Sequence, residues 1–289
     1  MTLPNNERII NNYIEKMPSL PTSVSKIMEI CNNPATSPAD LNKVISLDPV
    51  LMGKVMKLIN SAYYGLSQEV TSLVRAVIML GINTVKNLAL STAVLGSLGK
   101  SGDFQALNMD GFWRHSICTG VTAKLIAQKR GQDRKILEEY FIAGLLHDIG
   151  KIPLNNALSE DYVMAMSISD REHIPLHASE KRTLELDHTT VGAMIAESWK
   201  LGEEILDAIS YHHSVDEYQG NSKDILYTVI MANFFANEYE IGFSGDRYPG
   251  TIHPAVPQYL KIGFDDLDAL EDKVNEEIEK ARIFLKLAG

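Results

Sequence analysis

Apolar residues recur every three or four positions along most of the chain and strict alternation is nearly absent, so the pattern predicts helices and no sheet. A first helix is expected over Ser23–Cys31, stopped by Asn32-Asn33-Pro34. Ser37 can cap a second, with Pro38 in its first turn and Leu41, Val44, Ile45 and Leu47 on one face. Asp48-Pro49 opens a third, carrying Leu51, Val55, Met56, Leu58 and Ile59. Ser72–Leu80 and Asn83–Leu95 follow, and Gly96–Asp103, rich in Gly, Ser and charge, reads as a break. Further helices are expected over Gly111–Ala127, Lys135–Ile149, Thr189–Trp199, Glu203–His213 and Asp224–Glu240. Ser159–Glu180 reads as polar and irregular, and Gly242–Pro257 as a loop. A final amphipathic helix, Asp265–Leu287, carries Leu267, Leu270, Val274, Ile278, Ala281 and Phe284/Leu285. It is expected to pack on the core, with a homodimer contact as the alternative. No repeat at solenoid periods is present.

Composition narrows the partners. The 289 residues are 45% apolar and 22% charged, an ordinary globular balance. With 37 acidic against 27 basic residues the net charge is −10, and there is no basic run, so nucleic acid is not an expected partner. Cys31 and Cys118 form no C-x-x-C framework and read as small apolar residues of a reducing compartment. Met1–Met17 lacks an apolar leader segment, and no stretch reaches the ~18 apolar residues of a membrane span. The expectation is a cytoplasmic protein without membrane attachment.

Histidine carries the chemistry. Five of the eight, His115, His147, His188, His212 and His213, sit at or next to expected helix ends, and His147 lies in Leu145-Leu146-His147-Asp148-Ile149-Gly150-Lys151. Imidazoles and a carboxylate converging from several helices suit a divalent transition metal such as Fe, Mn, Ni or Zn. Each residue also has a plainer reading. Gly150 and Lys151 are what many helix C-termini use. The two leucines before His147-Asp148 nevertheless direct that pair toward the core, where an ionised Asp needs a metal or a protonated His. For that pair alone, a metal ligand and a structural hydrogen-bonded pair stand level. His212 and His213 diverge by ~100° on a regular helix, so both reach one ion only where the helix end frays; otherwise an imidazolium there answers the helix dipole. His188 follows Asp187, a good N-cap, and is otherwise a surface first-turn residue; His115 is otherwise a core histidine.

The order His115, His147-Asp148, His188, His212-His213, with the H-D-x-G-K run, resembles the HD-GYP cyclic di-GMP phosphodiesterases and their relatives, the HDOD (HD-related output) domains. Leu20-Pro21, Leu47-Asp48-Pro49, Leu58-Ile59-Asn60-Ser61-Ala62-Tyr63-Tyr64-Gly65, Leu80-Gly81 with Val85 and Leu88-Ala89-Leu90, and Gly192-Ala193 with Glu197-Ser198-Trp199 look like HDOD. The resemblance spans about residues 15 to 240. It implies an all-α fold: an HD-like helical bundle over 101–241, preceded by a smaller N-terminal helical subdomain over 1–100 and followed by a loop and C-terminal helix over 242–289. It also implies one or two metal ions, with His115 and His147 on one, Asp148 bridging, His188, His212 and His213 on the other, and Lys151 facing a substrate phosphate.

Three departures weaken the enzyme reading. Asn233 stands where HD enzymes place a late-helix aspartate, Gly111 where some carry a glutamate, and Ser214-Val215-Asp216-Glu217-Tyr218 lacks the Gly-Tyr-Pro segment. Asn233 shares a face with Leu226, Ile230 and Asn237 and is expected to be buried and hydrogen-bonded. The implied function is therefore a non-catalytic bacterial signal-transduction module that binds a partner protein or a small phosphate-containing, nucleotide-like ligand. The alternatives are a metal-dependent phosphohydrolase acting on a cyclic dinucleotide or nucleotide, with Asp148 and Lys151 catalytic, and a metal held for structure or sensing without turnover.

Overall fold

The computed structural model describes residues 5–33, 35–98 and 106–288, and all regular structure among them is helical. The first half comprises α1 (Asn5–Lys16), α2 (Thr22–Cys31), α3 (Pro38–Ile45), α4 (Pro49–Ile59), α5 (Leu73–Leu80) and α6 (Ile82–Leu98). Side-chain caps start α3, α4 and α5. Ser37 and Asp40 form a reciprocal capping box at α3, and Asp48 accepts from the Leu51 amide at 2.9 Å to start α4. Leu47, assigned from its spacing to the apolar face of α3, instead lies past its end and is 78% exposed. Helix α6 is apolar nearly all round and almost wholly buried, with α2, α4 and α5 packed on it. It runs on to Leu98 through the start of the expected break, whose remainder lies outside the described residues.

The second half comprises α7 (Met109–Lys129), α8 (Leu137–Leu146), α9 (Lys151–Ala157), α10 (Ser159–Glu172), α11 (Leu176–Leu184), α12 (His188–Ser198), α13 (Glu203–Tyr211), α14 (Lys223–Glu238), α15 (Ala255–Leu260), α16 (Phe264–Asp268), α17 (Glu271–Ala281) and α18 (Ile283–Ala288). Three sequence expectations need correction. Asn5–Lys16, read only for its lack of a leader, is a helix that packs on α9 and α12. Ser159–Glu180, read as irregular, forms α10 and most of α11; these end on His173 and Glu185 in left-handed conformations, so no glycine marks either stop. The expected single helix over Asp265–Leu287 is three. Helix α17 packs on α7, and the chain turns at Arg282 so that α18 reaches α6, placing the Phe284 ring 4.9 Å from Phe141 and 5.1 Å from Tyr63.

One apolar core runs through both halves, from Leu20 to Leu287. A smaller one, built on Ile10, Leu154, Leu158, Tyr162, Leu176, Leu184, Leu186 and Val191, joins α1 to α9–α12. The chain passes from the main core to the smaller one between Ile152 and Leu154, just after the turn at 147–150, where backbones are nearly in contact. A Cβ on Gly150 would stand 2.0 Å from the His188 carbonyl oxygen and 2.4 Å from the Gly192 nitrogen. No single described helix is long and apolar enough to cross a membrane; the bent pair α5–α6, which has the length and composition together, turns by 115° within this core.

Gly150→Ala must push α9 and α12 apart and is expected to destabilise the protein by about 3 kcal/mol. Gly53→Ala, with open space around its Cβ, should instead be neutral or stabilise by up to about 1 kcal/mol. Urea unfolding of the two variants checks the contrast.

Candidate metal centre

Three helix ends and one helix interior deliver the candidate residues to one place. His115 lies on α7, His147 and Asp148 in the turn after α8, His188 at the first position of α12, and His212 and His213 just past α13. All except the half-buried His213 are buried. The α7–α8 crossing is close because both helices carry glycine there: a Cβ on Gly144 would lie 2.8 Å from the Gly120 Cα. Asp187 caps α12 by accepting from the Thr190 amide at 2.9 Å, which fixes His188 in the first turn. Helix α13 stops at Tyr211, so His212 and His213 escape the helical phase that would have separated their rings.

Two half-sites result, with Asp148 between them. His115 and His147 face the Asp148 Oδ2, their Nε2 atoms at 3.8 and 3.4 Å. His188 and His212 face Oδ1, with Nε2 at 3.3 and 3.6 Å. The His188 Nε2 also stands 3.3 Å from the His212 Nε2 and 3.1 Å from the His213 Nε2. The donor atoms of His115, His147 and Asp148 lie within 4.8 Å of one another, as do those of His188, His212 and His213.

The other ring nitrogens decide what these atoms are. The His147 Nδ1 is 2.7 Å from the Gly144 carbonyl, and the His212 Nδ1 is 3.0 Å from the carbonyls of Ala208 and Ile209. The His188 Nδ1 is 2.6 Å from the Glu180 Oε2, which also accepts from the His188 amide at 2.9 Å. A carbonyl or carboxylate requires a donor, so each Nδ1 carries the proton and each Nε2 of a neutral ring presents a lone pair. The His188 and His212 lone pairs, 3.3 Å apart, repel unless a proton or a metal lies between them, and the His213 Nε2 stands 3.1 Å from the first. Two nitrogens sharing a tetrahedral ion at ~2.05 Å are about 3.3 Å apart, so these spacings fit a metal. The Nε2 atoms of His115 and His147 and the Asp148 Oδ1 are buried without hydrogen-bond partners, an arrangement that costs about 1–3 kcal/mol per atom if nothing binds them. The residues present can hold a divalent ion.

Charge agrees with this. Burial pushes His115 down to about 4 and holds His147 and His213 well below the ordinary histidine range, so these rings are neutral and ready as ligands. Burial also lowers His212. His188 is raised because Glu180 outweighs burial. Burial opposes ionisation of Asp148, but His147, the Lys151 ammonium at 2.7 Å and the other imidazoles outweigh it and hold the carboxyl well below its usual range.

Asn233, on α14, is half-buried rather than buried; it stands beside His115 and accepts from the Asn237 Nδ2 at 3.0 Å. It lines a cavity of about 590 Å³ that reaches the centre through His212 and His213 and is bordered by His177, Lys181, Asp187 and His253. Lys151 is 2% exposed and does not line that cavity. Gly111 packs on Phe243, and a Cβ at Gly111 would lie 3.4 Å from the Phe243 carbonyl oxygen. Sequence reasoning missed Glu180 and His177. Glu180 shares the buried face of α11 with Leu176 and Leu184, a spacing of four that could have marked it. His177 stacks on His213 with ring centroids 4.2 Å apart.

Glu180→Gln keeps the hydrogen bond but removes the charge that orients His188, and zinc affinity should fall 10–100-fold in a competition titration. In metal-free protein the unfolded chain takes up protons below about pH 6.5 that buried His115 and His177 refuse until about 4. Their stabilisation is therefore complete above pH 6.5 and is lost as pH falls toward 4; His188 has the opposite sign but stands against five depressed rings. Melting temperature against pH reads this directly.

Known proteins share this arrangement at the level of fold. The HDOD domain family matches residues 17–215. A protein of Treponema pallidum (strain Nichols), described only as uncharacterized, is 28% identical over 224 residues, which make up 78% of this chain; the chain spans about 43% of that relative's length. An HDOD domain protein of unknown function from Geobacter sulfurreducens superposes with a TM-score of 0.72 at 24% identity, over 96% of each chain. A Shewanella amazonensis SB2B protein described as a candidate phosphohydrolase gives 0.71 at 22% identity, over 97% of this chain and 98% of its own. The family match covers most of the chain and the superpositions carry the same helical fold from end to end: this chain belongs to the HDOD domain family, related in fold to HD-type phosphohydrolases.

Proposed function

We propose that the protein is a signal-transduction module that binds a divalent transition metal and, in the adjoining cavity, a phosphate-containing ligand, without hydrolysing it. One observation carries the reading: the Nε2 atoms of His212 and His213, which border the cavity, stand 3.3 and 3.1 Å from the buried His188 Nε2. A metal held there would supply fixed positive charge to a phosphate oxygen. The chain's own residues do the rest. Glu180 fixes the His188 ring, Asp187 holds the start of α12, and Lys181, His253 and the Asn233 amide border the space the ligand would fill. Lys151, the residue an active enzyme would turn toward a substrate phosphate, is committed to Asp148 and buried. Asn233 brings no carboxylate. A partner protein would read the occupied state, as the signalling reading requires.

The second reading, a metal-dependent phosphohydrolase, draws on the presence of a second donor group, His115, His147 and Asp148, within reach of the first. Calorimetry with a cyclic dinucleotide and with inorganic phosphate, with and without zinc(II) or manganese(II), separates the two. The module reading predicts metal-dependent binding, weakened at least tenfold by His188→Ala, and no phosphate release. Turnover that disappears in Asp148→Ala would replace it with the hydrolase, and binding indifferent to metal would remove both.

A further inference from the structure

Asp148 is asymmetric. Its Oδ1 faces His188 and His212 and has no hydrogen-bond partner, whereas its Oδ2, the oxygen turned toward His115 and His147, bonds the Lys151 Nζ at 2.7 Å. Lys151 is among the bulkiest fully enclosed side chains of the fold, and a buried ammonium persists only where a charge answers it. It is held in place by the turn that precedes it, where Gly150 lies against the His188 carbonyl. A divalent ion between His115 and His147 would answer their two unpartnered Nε2 atoms, but it would have to share Oδ2 with this ammonium in a buried site, where like charges repel strongly. Asn233 adds no negative charge to compensate. His115 and His147 are 1% and 0% exposed, whereas His213 borders the cavity, so the two half-sites also differ in access.

We infer that Lys151 takes the place of one metal ion: its ammonium neutralises Oδ2 in the His115/His147 half, and the centre holds a single divalent ion at His188, His212, His213 and the Asp148 Oδ1. The inference rests on the metal-binding reading above. It makes Lys151 an internal counter-ion that sets metal stoichiometry, a role separate from contact with any phosphate.

Elemental analysis after loading with excess zinc(II) and desalting tests it in the full chain. The expected result is one zinc per native chain, two in Lys151→Met, one in His115→Ala and well below one in His188→Ala. Two zinc ions in the native chain, or one in a folded Lys151→Met, would overturn the inference while leaving metal binding intact. Should Lys151→Met fail to fold by circular dichroism, the histidine pair decides: zinc lost from His115→Ala, or kept by His188→Ala, overturns the assignment. No zinc in the native chain would bring down the metal-binding reading itself, and this inference with it.

Discussion

Everything in the C-terminal half depends on where the imidazole protons are held. His147 and His212 each give the Nδ1 proton to a backbone carbonyl of the helix they follow, and His188 gives its own to the buried Glu180. That aims three Nε2 atoms inward and, with His115 and His213, makes a largely buried centre rich in imidazole nitrogen. A pocket of that kind is a poor place for protons and a good one for a metal, since burial penalises a charged imidazolium and the carboxylate or carbonyl partners behind His147, His188 and His212 strengthen them as ligands.

The helices serve this arrangement through their ends more than through their faces. Helices α8 and α13 stop one residue before the histidines they present, α12 begins with one, and only His115 projects from a helix interior. Close backbone contacts hold the ends together: Gly120 against Gly144 between α7 and α8, and Gly150 against His188 and Gly192 between the Asp148 turn and α12. The smaller apolar core beneath α9–α12, closed by Ile10 of α1, braces the side of the centre that the main core does not reach.

The sequence made much of this legible. Ser37-Pro38, Asp48-Pro49 and Asp187 act through short-range caps, so the helix starts they mark can be read locally, and the His147-Asp148 pair after two leucines points inward for the same local reason. What stayed hidden depends on distant partners. Helix α1 has one fully buried residue, Ile10, and exists because α9 and α12 receive it. Helices α10 and α11 are polar, end on His173 and Glu185 rather than glycine, and so resemble a loop. Leu176 and Leu184, four residues to either side of Glu180, mark its face as buried, but nothing local announces the imidazole eight residues away that it holds. The bend at Arg282 likewise reflects Phe284 finding Tyr63 and Phe141, contacts that no local pattern encodes.

The most direct test of the account is an anomalous difference map at the zinc edge from crystals of the zinc-loaded full chain. The account predicts a peak ~2.0–2.1 Å from the Nε2 atoms of His188, His212 and His213. A map without a peak there, with those three nitrogens still crowded together, would mean that the rings are held by protons, and the metal centre would have to be abandoned.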